Sequence, residues 1–459
     1  MDKLQPRLVF GTKGNDVLTA SAEGGDRIFA GDGDDHLRVN PGSDHTDLHG
    51  GAGNDTFEVQ GASTVLYGET GSDTVTASSD GSRIHGNDGT DLLTVTGSAN
   101  LVTGGGGDDE LILTVQDSLV QGGAGDDVVT SVDALSSGST FDLGDGMDSI
   151  NLRGENNRVL GGAGDDFLFL NRSSSTRAEG GAGNDILGGF EVSNSIFIGG
   201  QGNDSLDNAE DEYDTTGSHG NRYYGNEGND WLEVSGWDQM LLGGTGNDTL
   251  RVAAYSSLDD SLLKGDAGND TLLLDFPSGG NGNVLDGGEG SDTLTSIMFY
   301  NTLKGGNGAD ELAVEGYEWT GYSLENTLTG GRGADTYRIG EGTGLNTIRE
   351  EGAAGETDRV IFTAAAAADI TTVQRQGGDL ELSDGGERLI VNHFFDHAGY
   401  RVERFEFADG TVWTDKQVES LIQSMAAAQS DPGHAAGETS GASAAELSLL
   451  LAAANGQQQ

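Results

Sequence analysis

Apolar residues recur along most of the chain at two fixed positions around an aspartate. Two residues after the aspartate every repeat carries an apolar residue, as at Leu18, Leu37 and Phe57. Seven residues before it, sixteen of seventeen repeats carry a large apolar residue, as at Leu48 and Leu66. Apolar and polar residues alternate around both positions, which is typical of strands with one buried face. Each repeat therefore predicts two short strands.

The aspartates set the register of the repeats, and their spacing has a minimum of 18 residues, so that every departure is an insertion. These motif aspartates are Asp16, Asp35, Asp55, Asp73, Asp91, Asp109, Asp127, Asp148, Asp166, Asp185, Asp204, Asp230, Asp248, Asp270, Asp292, Asp310 and Asp335. At about 3.3 Å per residue, two short strands and two turns fit one repeat. Stacked repeats would bury a continuous ladder of apolar side chains. We predict an all-β fold, a right-handed parallel β-solenoid or β-roll of about 17 coils.

Glycine stands two residues before the aspartate in all seventeen repeats, from Gly14 to Gly333, and five residues before it in fifteen. A glycine fixed within a repeat most simply marks a positive φ, which a side chain would penalise. The segment before each aspartate is therefore predicted to be a tight turn. A low-complexity acidic linker would also be rich in glycine and aspartate, but it would not keep glycine, aspartate and apolar residues in one register.

The charge of the chain makes these turns unstable on their own. Its 459 residues carry a formal net charge of −53, with 78 glycines, 4 prolines and no cysteine. Such a chain would repel nucleic acid, and it has neither disulfides nor thiolate metal sites. Stacking would place the aspartates in a column about 4.8 Å apart, which calls for a cation. Carboxylates and backbone carbonyls form an all-oxygen ligand set, which favours calcium over zinc, copper or magnesium.

The motifs "GGAGND", "GGQGND" and "GGTGND", followed by strands such as "TLRV", resemble the RTX (repeats-in-toxin) nonapeptide of haemolysin-type calcium-binding proteins. The resemblance spans residues 9–350. It implies a β-roll in which each ion lies between two successive turns, held by the aspartates and by glycine carbonyls. The implied carbonyl ligands are Gly51, Gly53, Gly105, Gly107, Gly123, Gly125, Gly162, Gly164, Gly181, Gly183, Gly200, Gly202, Gly244, Gly246, Gly288, Gly290, Gly306 and Gly308.

The period departs from the family pattern, which usually recurs every nine residues and fills both sides of the roll. Here it recurs every 18 residues, so we expect one column of up to about sixteen calcium ions on one side. The other side would tolerate insertions because no ion fixes its length. Sites of the extracellular type bind calcium at roughly 0.1 to 1 mM, so the chain would stay unfolded in cytosol and fold outside the cell.

The sequence changes character after residue 350. "DRVIF", "DLELSDGGERLIVNHFF" and "VERFEFADGTVW" predict strands with turns at Asp384-Gly385 and Asp409-Gly410. They resemble the C-terminal domain that follows RTX rolls and would cap the last coil. Thr414 and Gln417 form a capping-box pair before a helix. We predict a roll at 1–350, a cap domain at 351–428 and a flexible tail at 429–459.

Export is expected to use the tail. The chain shows no N-terminal leader and no stretch long and apolar enough to span a membrane. RTX relatives leave the cell by type I secretion through an uncleaved C-terminal signal, so the resemblance implies the type I secretion apparatus as a partner. It also implies a secreted or cell-surface protein of a Gram-negative bacterium. A frayed, functionless tail is the alternative.

No catalytic constellation emerges from the sequence, and we expect a protein that is not an enzyme. His393 and His397 in "HFFDH" lack the glutamate of a zinc-protease helix and match a strand of the cap family. Two insertions, Asp207 to Tyr224 and Glu315 to Asn326, concentrate aromatic residues. These insertions could bind extracellular polysaccharide or a cell surface, although packing over the flank of the roll is an alternative.

The favoured function is that of a secreted calcium-binding structural or binding module of a surface layer or matrix. One alternative is the non-catalytic delivery part of an RTX enzyme or toxin, such as a protease, lipase or epimerase. Because only about eight residues precede the first strand, we expect no attached catalytic domain. The other alternative is a membrane-active or signalling RTX protein.

Overall fold

The computed structural model describes residues 7–208, 218–252, 260–274, 282–297, 300–316, 325–352 and 355–429, apart from the side chains of residues 132–134 and 425–429. The chain divides into two compact units, Met1–Trp231 and Leu232–Gln459, and each is described by itself. The predicted secretion tail after Gln429 lies outside the described residues. So do residues 209–217 and 317–324 of the two aromatic insertions.

Each coil of the first unit contributes two strands to two separate parallel sheets. We call the strand that leads into the glycine turn the incoming strand, and the strand that follows the motif aspartate the outgoing strand. The incoming strands are Leu8–Phe10, Arg27–Asp32, Asp47–Ala52, Val65–Thr70, Arg83–Asp88, Leu101–Gly106, Leu119–Ala124, Thr140–Asp145, Arg158–Ala163, Arg177–Ala182, Ile196–Gln201 and Arg222–Glu227. The outgoing strands are Val17–Thr19, His36–Val39, Thr56–Val59, Thr74–Ser78, Leu92–Ser98, Glu110–Gln116, Val128–Ser137, Ser149–Glu155, Phe167–Asn171, Ile186–Phe190 and Ser205–Asp207, followed by Trp231–Val234 at the boundary of the unit.

The second unit repeats the same arrangement. Its incoming strands are Met240–Thr245, Leu262–Ala267, Val284–Glu289, Thr302–Asn307, Glu325–Arg332 and Leu345–Ile348. Its outgoing strands are Thr249–Val252, Thr271–Leu274, Thr293–Ser296, Glu311–Val314, Thr336–Ile339 and Arg359–Phe362. Both units are therefore parallel β-solenoids, and the predicted fold class is confirmed.

The two apolar positions of the repeat form the core. Leu48 lies opposite Leu66 in the incoming sheet, and Phe57 lies opposite Val75 in the outgoing sheet. All four side chains are fully buried. Each coil adds one side chain to each ladder, so the core is thin and grows only by stacking, because no coil could bury its apolar face alone.

The turn opposite the glycine turn is held by a ladder of buried neutral side chains. The backbone N–H of Ser82 donates to Asn100 Oδ1 at 2.9 Å, and the N–H of Asn100 donates to Ser118 Oγ at 3.0 Å. The same position is held by Ser261, Asn283, Asn301 and others in the second unit. This neutral ladder satisfies backbone donors that would otherwise be buried without partners.

One described insertion lies on the side of this neutral ladder. The longest outgoing strand, Val128–Ser137, loses its register with Ser149–Glu155 between Ser131 and Ser136. Pairing resumes at Ser136, so the extra residues form an irregularity within the strand. The glycine turn before Asp148 keeps its length. This fits the prediction that the two sides of the roll differ in tolerance to insertion.

Both sheets of the second unit continue into residues 364–429, which we call the cap segment. Arg388–Val391 pairs in parallel with Leu345–Ile348, and Arg404–Glu406 pairs in parallel with Arg359–Phe362. Antiparallel strands complete the segment, so the last coil leaves neither sheet edge open. They are Thr372–Gln376, Asp379–Ser383 and Val412–Thr414, with 3-10 turns at Ala367–Asp369 and Ala398–Tyr400.

One helix, Asp415–Gln429, follows the last strand. The N–H of Thr414 donates to Gln417 Oε1 at 2.8 Å, and the N–H of Gln417 donates to Thr414 Oγ1 at 3.3 Å. The predicted capping box is confirmed. Val418 and Leu421 are buried on the face that packs against the sheet. No helix among the described residues is long and apolar enough to cross a membrane.

The neutral ladder yields a stability prediction. Asn100→Ala removes the acceptor of the Ser82 N–H and the donor to the Ser79 carbonyl at 2.8 Å. We expect a loss of about 1–3 kcal/mol, because a buried N–H is left without a partner. Urea unfolding at saturating calcium measures it, with exposed Thr76→Ala as the control. Equal midpoints for the two variants would contradict the role of the ladder.

Candidate metal centre

The glycine turn is shaped by positive φ angles and by close stacking. Gly53 has φ 135°, and all but the first of the glycines two residues before a motif aspartate share this left-handed region. A Cβ on Gly53 would also lie 2.2 Å from the carbonyl oxygen of Gly33 in the preceding coil. Both strain and contact therefore exclude a side chain here, and the predicted tight turn is observed.

The glycine five residues before the aspartate has a different role. Gly50 does not have a positive φ, yet a Cβ there would lie 2.3 Å from Asp55 Oδ2. The same point lies 2.7 Å from the carbonyl oxygen of Gly68 in the following coil. The absence of a side chain thus makes room for the carboxylate. The sequence showed the glycine but not this reason for it.

Most motif aspartates use one carboxylate oxygen to join two coils. The backbone N–H of Asp91 donates to Asp109 Oδ1 at 2.8 Å, and the N–H of Asp109 donates to Asp127 Oδ1 at 2.8 Å. The same bond recurs from Asp16 to Asp230 in the first unit. It recurs from Asp248 to Asp335 in the second. The predicted column is therefore a hydrogen-bonded ladder within each unit.

The second carboxylate oxygen of most motif aspartates is buried and accepts no hydrogen bond from the protein. This holds for Oδ2 of Asp35, Asp55, Asp73, Asp91, Asp109, Asp127, Asp148, Asp166, Asp185, Asp204, Asp270, Asp292, Asp310 and Asp335. Each of these residues is at most 2% exposed. At Gly50 and Gly68, the point that a Cβ would occupy lies 2.1–2.3 Å from Oδ2 of the aspartate and 2.5–2.7 Å from a carbonyl oxygen of the following coil, so both oxygens face the same small space. Such a place suits a cation or a proton.

Burial and mutual repulsion disfavour the charged carboxylates in the absence of metal. Burial raises the pKa of Asp73 to about 7, and the charges of Asp91 and Asp55 add to the rise. Burial likewise raises the pKa of Asp109 and of Asp204 to about 7. A hydrogen bond from the preceding coil opposes each shift without cancelling it. Near neutral pH the column therefore favours any cation that replaces these protons.

The first coil differs from the others. Thr12 donates its backbone N–H to Asp16 Oδ2 at 2.5 Å and its hydroxyl to the same oxygen at 2.8 Å. Thr12 stands where most coils have glycine, four residues before the aspartate. Oδ2 of the predicted ligand Asp16 therefore accepts two hydrogen bonds from the protein.

A second ladder runs beside the first in the opposite direction. The N–H of Ser72 donates to Asn54 Oδ1 at 2.8 Å, so here a side chain accepts from the following coil. The same bond joins Asn203 to Asn184 at 2.9 Å and Asn269 to Asn247 at 2.7 Å. This ladder explains why asparagine or aspartate so often precedes the motif aspartate, a preference that the sequence analysis did not interpret.

The carboxylate ladder continues beyond the last predicted aspartate. The N–H of Asp335 donates to Asp358 Oδ1 at 2.8 Å, and the N–H of Asp358 donates to Glu403 Oε2 at 2.9 Å. Asp358 lacks the glycine motif and was missed. Its one available signal was Val360, an apolar residue two positions later, as in every repeat. Asn346, eleven residues after Asp335, belongs instead to the neutral ladder, where its Oδ1 accepts from Asn326.

His393 lies in a turn and His397 directly follows it, so the predicted match of "HFFDH" to a strand is wrong. Residues 392–396 form this turn, and His393 has φ 56°. His393 Nδ1 lies 2.8 Å from Asp396 Oδ2, and His397 Nδ1 accepts from the N–H of Gly399 at 3.0 Å. The turn follows the strand Arg388–Val391, where the N–H of His393 donates to Asp379 Oδ1 at 2.7 Å instead of continuing the sheet.

Family comparisons match most of the repeat region. The RTX calcium-binding nonapeptide repeat matches at residues 21–57, 45–75, 67–102, 85–117, 103–131, 142–176, 215–250, 278–296 and 320–344. The haemolysin-type calcium binding protein related domain matches at residues 379–417, within the cap segment. The chain belongs to the RTX haemolysin-type calcium-binding repeat proteins, as its motifs predicted.

More distant comparisons add little. No curated protein matches the chain significantly. Among solved structures, the chain is similar to a hyperactive, Ca2+-dependent, β-helical antifreeze protein from an Antarctic bacterium, seen by X-ray crystallography. The identity is 18%, the TM-score is 0.40, and the match covers 75% of this chain and 90% of the other.

The divided carboxylate predicts the effect of neutralising one rung. Asp109→Asn keeps the Oδ1 acceptor of the Asp91 N–H but removes the charge beside Oδ2. We expect the loss of about one or two bound ions and a higher calcium midpoint for folding. Equilibrium dialysis and circular dichroism measure both quantities. The control is Asp108→Asn, an exposed neighbour with the same charge change, and equal effects of the two variants would argue against a ligand role for Asp109.

The raised pKa values predict a pH effect on the metal-free chain. The folded pKa of Asp73, Asp109 and Asp204 is about 7, above the ordinary value of 3.8 for an aspartate side chain. Folded carboxyls therefore hold protons that unfolded ones have lost, and this stabilisation is full below about pH 4 and disappears as pH rises through 7. In calcium-free buffer we expect more β-structure at pH 5 than at pH 8, measured by circular dichroism. The measurement is repeated at high ionic strength, where salt screens the repulsion between exposed charges. Identical spectra at pH 5 and pH 8 under that condition would refute an effect of the buried carboxyls.

Proposed function

We propose that this chain is an exported, calcium-gated β-roll that acts as a structural or binding module outside the cell. The observation that carries the proposal is the ladder of buried aspartates whose Oδ2 atoms accept no hydrogen bond from the protein. At cytosolic calcium this ladder would oppose folding, whereas at extracellular calcium the ions would join the coils. Folding would thus follow export.

Calcium is the proposed ion because the site offers oxygen ligands alone. The proposed ligands are the motif aspartates with the carbonyls of the glycines named in the sequence analysis, which stand four and two residues before nine of them. The carbonyl oxygens of Gly31 and Gly33 lie 2.0 Å and 2.2 Å from where a Cβ on Gly51 or Gly53 would stand, so they point along the stack toward the next coil. Magnesium needs a tighter octahedral shell and retains its waters, so flexible coordination between coils favours calcium.

Secretion by the type I apparatus and a place outside a Gram-negative cell are supported by membership in the RTX family. The proposed role does not involve catalysis. It is supported by the family matches, which are to the calcium-binding repeats and to the related C-terminal domain. The delivery part of an RTX enzyme or toxin, or a membrane-active or signalling RTX protein, is the alternative function.

An extracellular polysaccharide or a cell surface is the proposed partner, although one aromatic surface is unsuited to it. Phe10, Phe29, His49, Tyr67 and His85 stack along the outer face of the incoming sheet, with ring centroids 4.6–5.5 Å apart. The rings stack on each other, so most ring faces are not open to a sugar. This column is better explained as a support for the first unit.

The gating proposal predicts a metal-specific folding transition. We expect the chelator-treated chain to pass from coil to β-structure at about 0.1–1 mM calcium, because each ion removes repulsion between two rungs. Far-UV circular dichroism during a calcium titration measures the transition, with magnesium as the matched control. A chain that is already rich in β-structure in chelator at pH 8, or one that responds equally to magnesium, would contradict the proposal.

A further inference from the structure

A compact group of acidic side chains lies where the repeats of the second unit meet the cap segment. Asp335, Glu350 and Asp358 are all buried, and one oxygen from each lies within 4.8 Å of the others. Among the described residues they form the one group of acidic, histidine or cysteine side chains with this geometry. Calcium binds oxygen at 2.3–2.6 Å, so about 4.8 Å is the span across a calcium coordination shell.

Glu350 enters this group because it takes the place of a motif glycine. Leu328 lies opposite Ile348 in the incoming sheet, so Glu350 follows Ile348 as Gly330 follows Leu328. Elsewhere the glycine in this position leaves room for the aspartate five residues later. Here the next aspartate, Asp358, follows after eight residues, so the wider loop admits a glutamate side chain.

One oxygen of the group has no protein partner. Asp335 is fully buried, and its Oδ2 accepts no hydrogen bond from the protein. The nearby hydroxyl of Tyr337 cannot supply one, because it donates its single proton to Glu350 Oε2 and accepts from the N–H of Gly330 at 2.7 Å. Asp335 Oδ2 and Tyr337 Oη lie 2.3 Å and 2.5 Å from the point that a Cβ on Gly330 would occupy.

Further oxygens surround the neighbouring space. A Cβ on Gly352 would lie 2.9 Å from Glu356 Oε2, 3.1 Å from the carbonyl oxygen of Gly331 and 3.5 Å from Glu350 Oε1. The carbonyl of Gly331 belongs to the turn position that the family pattern assigns to calcium. Carboxylate and carbonyl oxygens therefore approach this space from the last glycine turn and from the loop after it.

We propose that Asp335, Glu350 and Asp358, with the carbonyl of Gly331, form a separate calcium site that closes the repeats and couples their folding to the cap segment. This inference rests on the proposed calcium binding of the roll: Asp335 and the Gly331 carbonyl hold motif positions, whereas Glu350 and Asp358 lie outside the motif. Three carboxylates replace the usual pair, and one of them occupies a glycine position. Higher ligand charge favours tighter binding, so this site would fill before most repeat sites.

The coupling to the cap segment follows from the bonds of Asp358. Its Oδ1 accepts from the N–H of Asp335, its N–H donates to Glu403 Oε2 at 2.9 Å, and the strand that directly follows it pairs with Arg404–Glu406. Burial and the charges of Asp358 and Asp335 raise the pKa of Glu350 to about 8. Without a cation, the charged forms of Asp335, Glu350 and Asp358 would repel one another and destabilise the contact between the last repeats and the cap segment. A bound ion would hold the two together.

Hydrogen exchange with peptide resolution tests the site in the full-length chain. Calcium is titrated, and the protection midpoint is compared between a junction segment, residues 325–362 with 400–414, and a repeat segment, residues 47–131. For Glu350→Gln, which keeps the acceptor for Tyr337, we expect the junction midpoint to rise on the order of tenfold. The midpoint of the repeat segment should not change. Asp358→Asn, which keeps the acceptor for Asp335, should do the same.

Glu351→Gln is the matched control, because Glu351 is an exposed neighbour with the same charge. Protection of the junction that returns at higher calcium in both variants supports the site. Wild-type midpoints in both variants, or protection that no calcium concentration restores in either, would overturn it. If the wild-type repeat segment itself showed no calcium response, the proposed function would fail. If only the junction failed to respond as expected, the proposed site would fail and the proposed function would stand.

Discussion

The fold depends on how each motif aspartate divides its two carboxylate oxygens. Oδ1 accepts a hydrogen bond from the backbone of the preceding coil, which fixes the stacking distance and buries the side chain. Oδ2 is thereby held beside carbonyl oxygens and other aspartates without a donor. The bond that joins two coils thus creates the repulsion between them, so stacking and cation binding cannot be separated.

The neutral ladder on the opposite turn shows what happens when the same bond is made without charge. Ser82, Asn100 and Ser118 join coils through backbone N–H groups as the aspartates do, yet they create no need for a cation. Ion coordination does not fix the number of residues in this turn, and the irregularity between Ser131 and Ser136 lies on the same side of the coil. The 18-residue period therefore reflects one charged and one neutral turn in each coil.

The sequence was sufficient for the features that depend on local geometry. Alternation of residues such as Leu48 and Phe57 predicted the strands and their buried faces, and the glycine at Gly53 predicted the left-handed turn. Features that depend on contacts between coils were not predictable in this way. The room that Gly50 leaves for Asp55 and the acceptor role of Asn54 arise only on stacking. Asp358 was missed because its loop lacks the glycines that identify the other rungs.

The first coil of the first unit and the cap segment of the second unit show how the protein limits its own charge. At the first coil, Thr12 supplies two donors to Asp16 Oδ2, so no cation is needed on that atom. At the cap segment, the last bond of the ladder reaches Glu403, whose pKa burial raises, while hydrogen bonds from the backbone N–H of Asp358 and of Glu403 itself oppose the rise more than the charge of Arg401 does. At Asp16, protein donors thus take the place of a cation on Oδ2. In the coils where the glycine before the aspartate is kept, a side chain large enough to neutralise Oδ2 would occupy the space of the next coil. A small ion is therefore the one counter-charge that stacking permits.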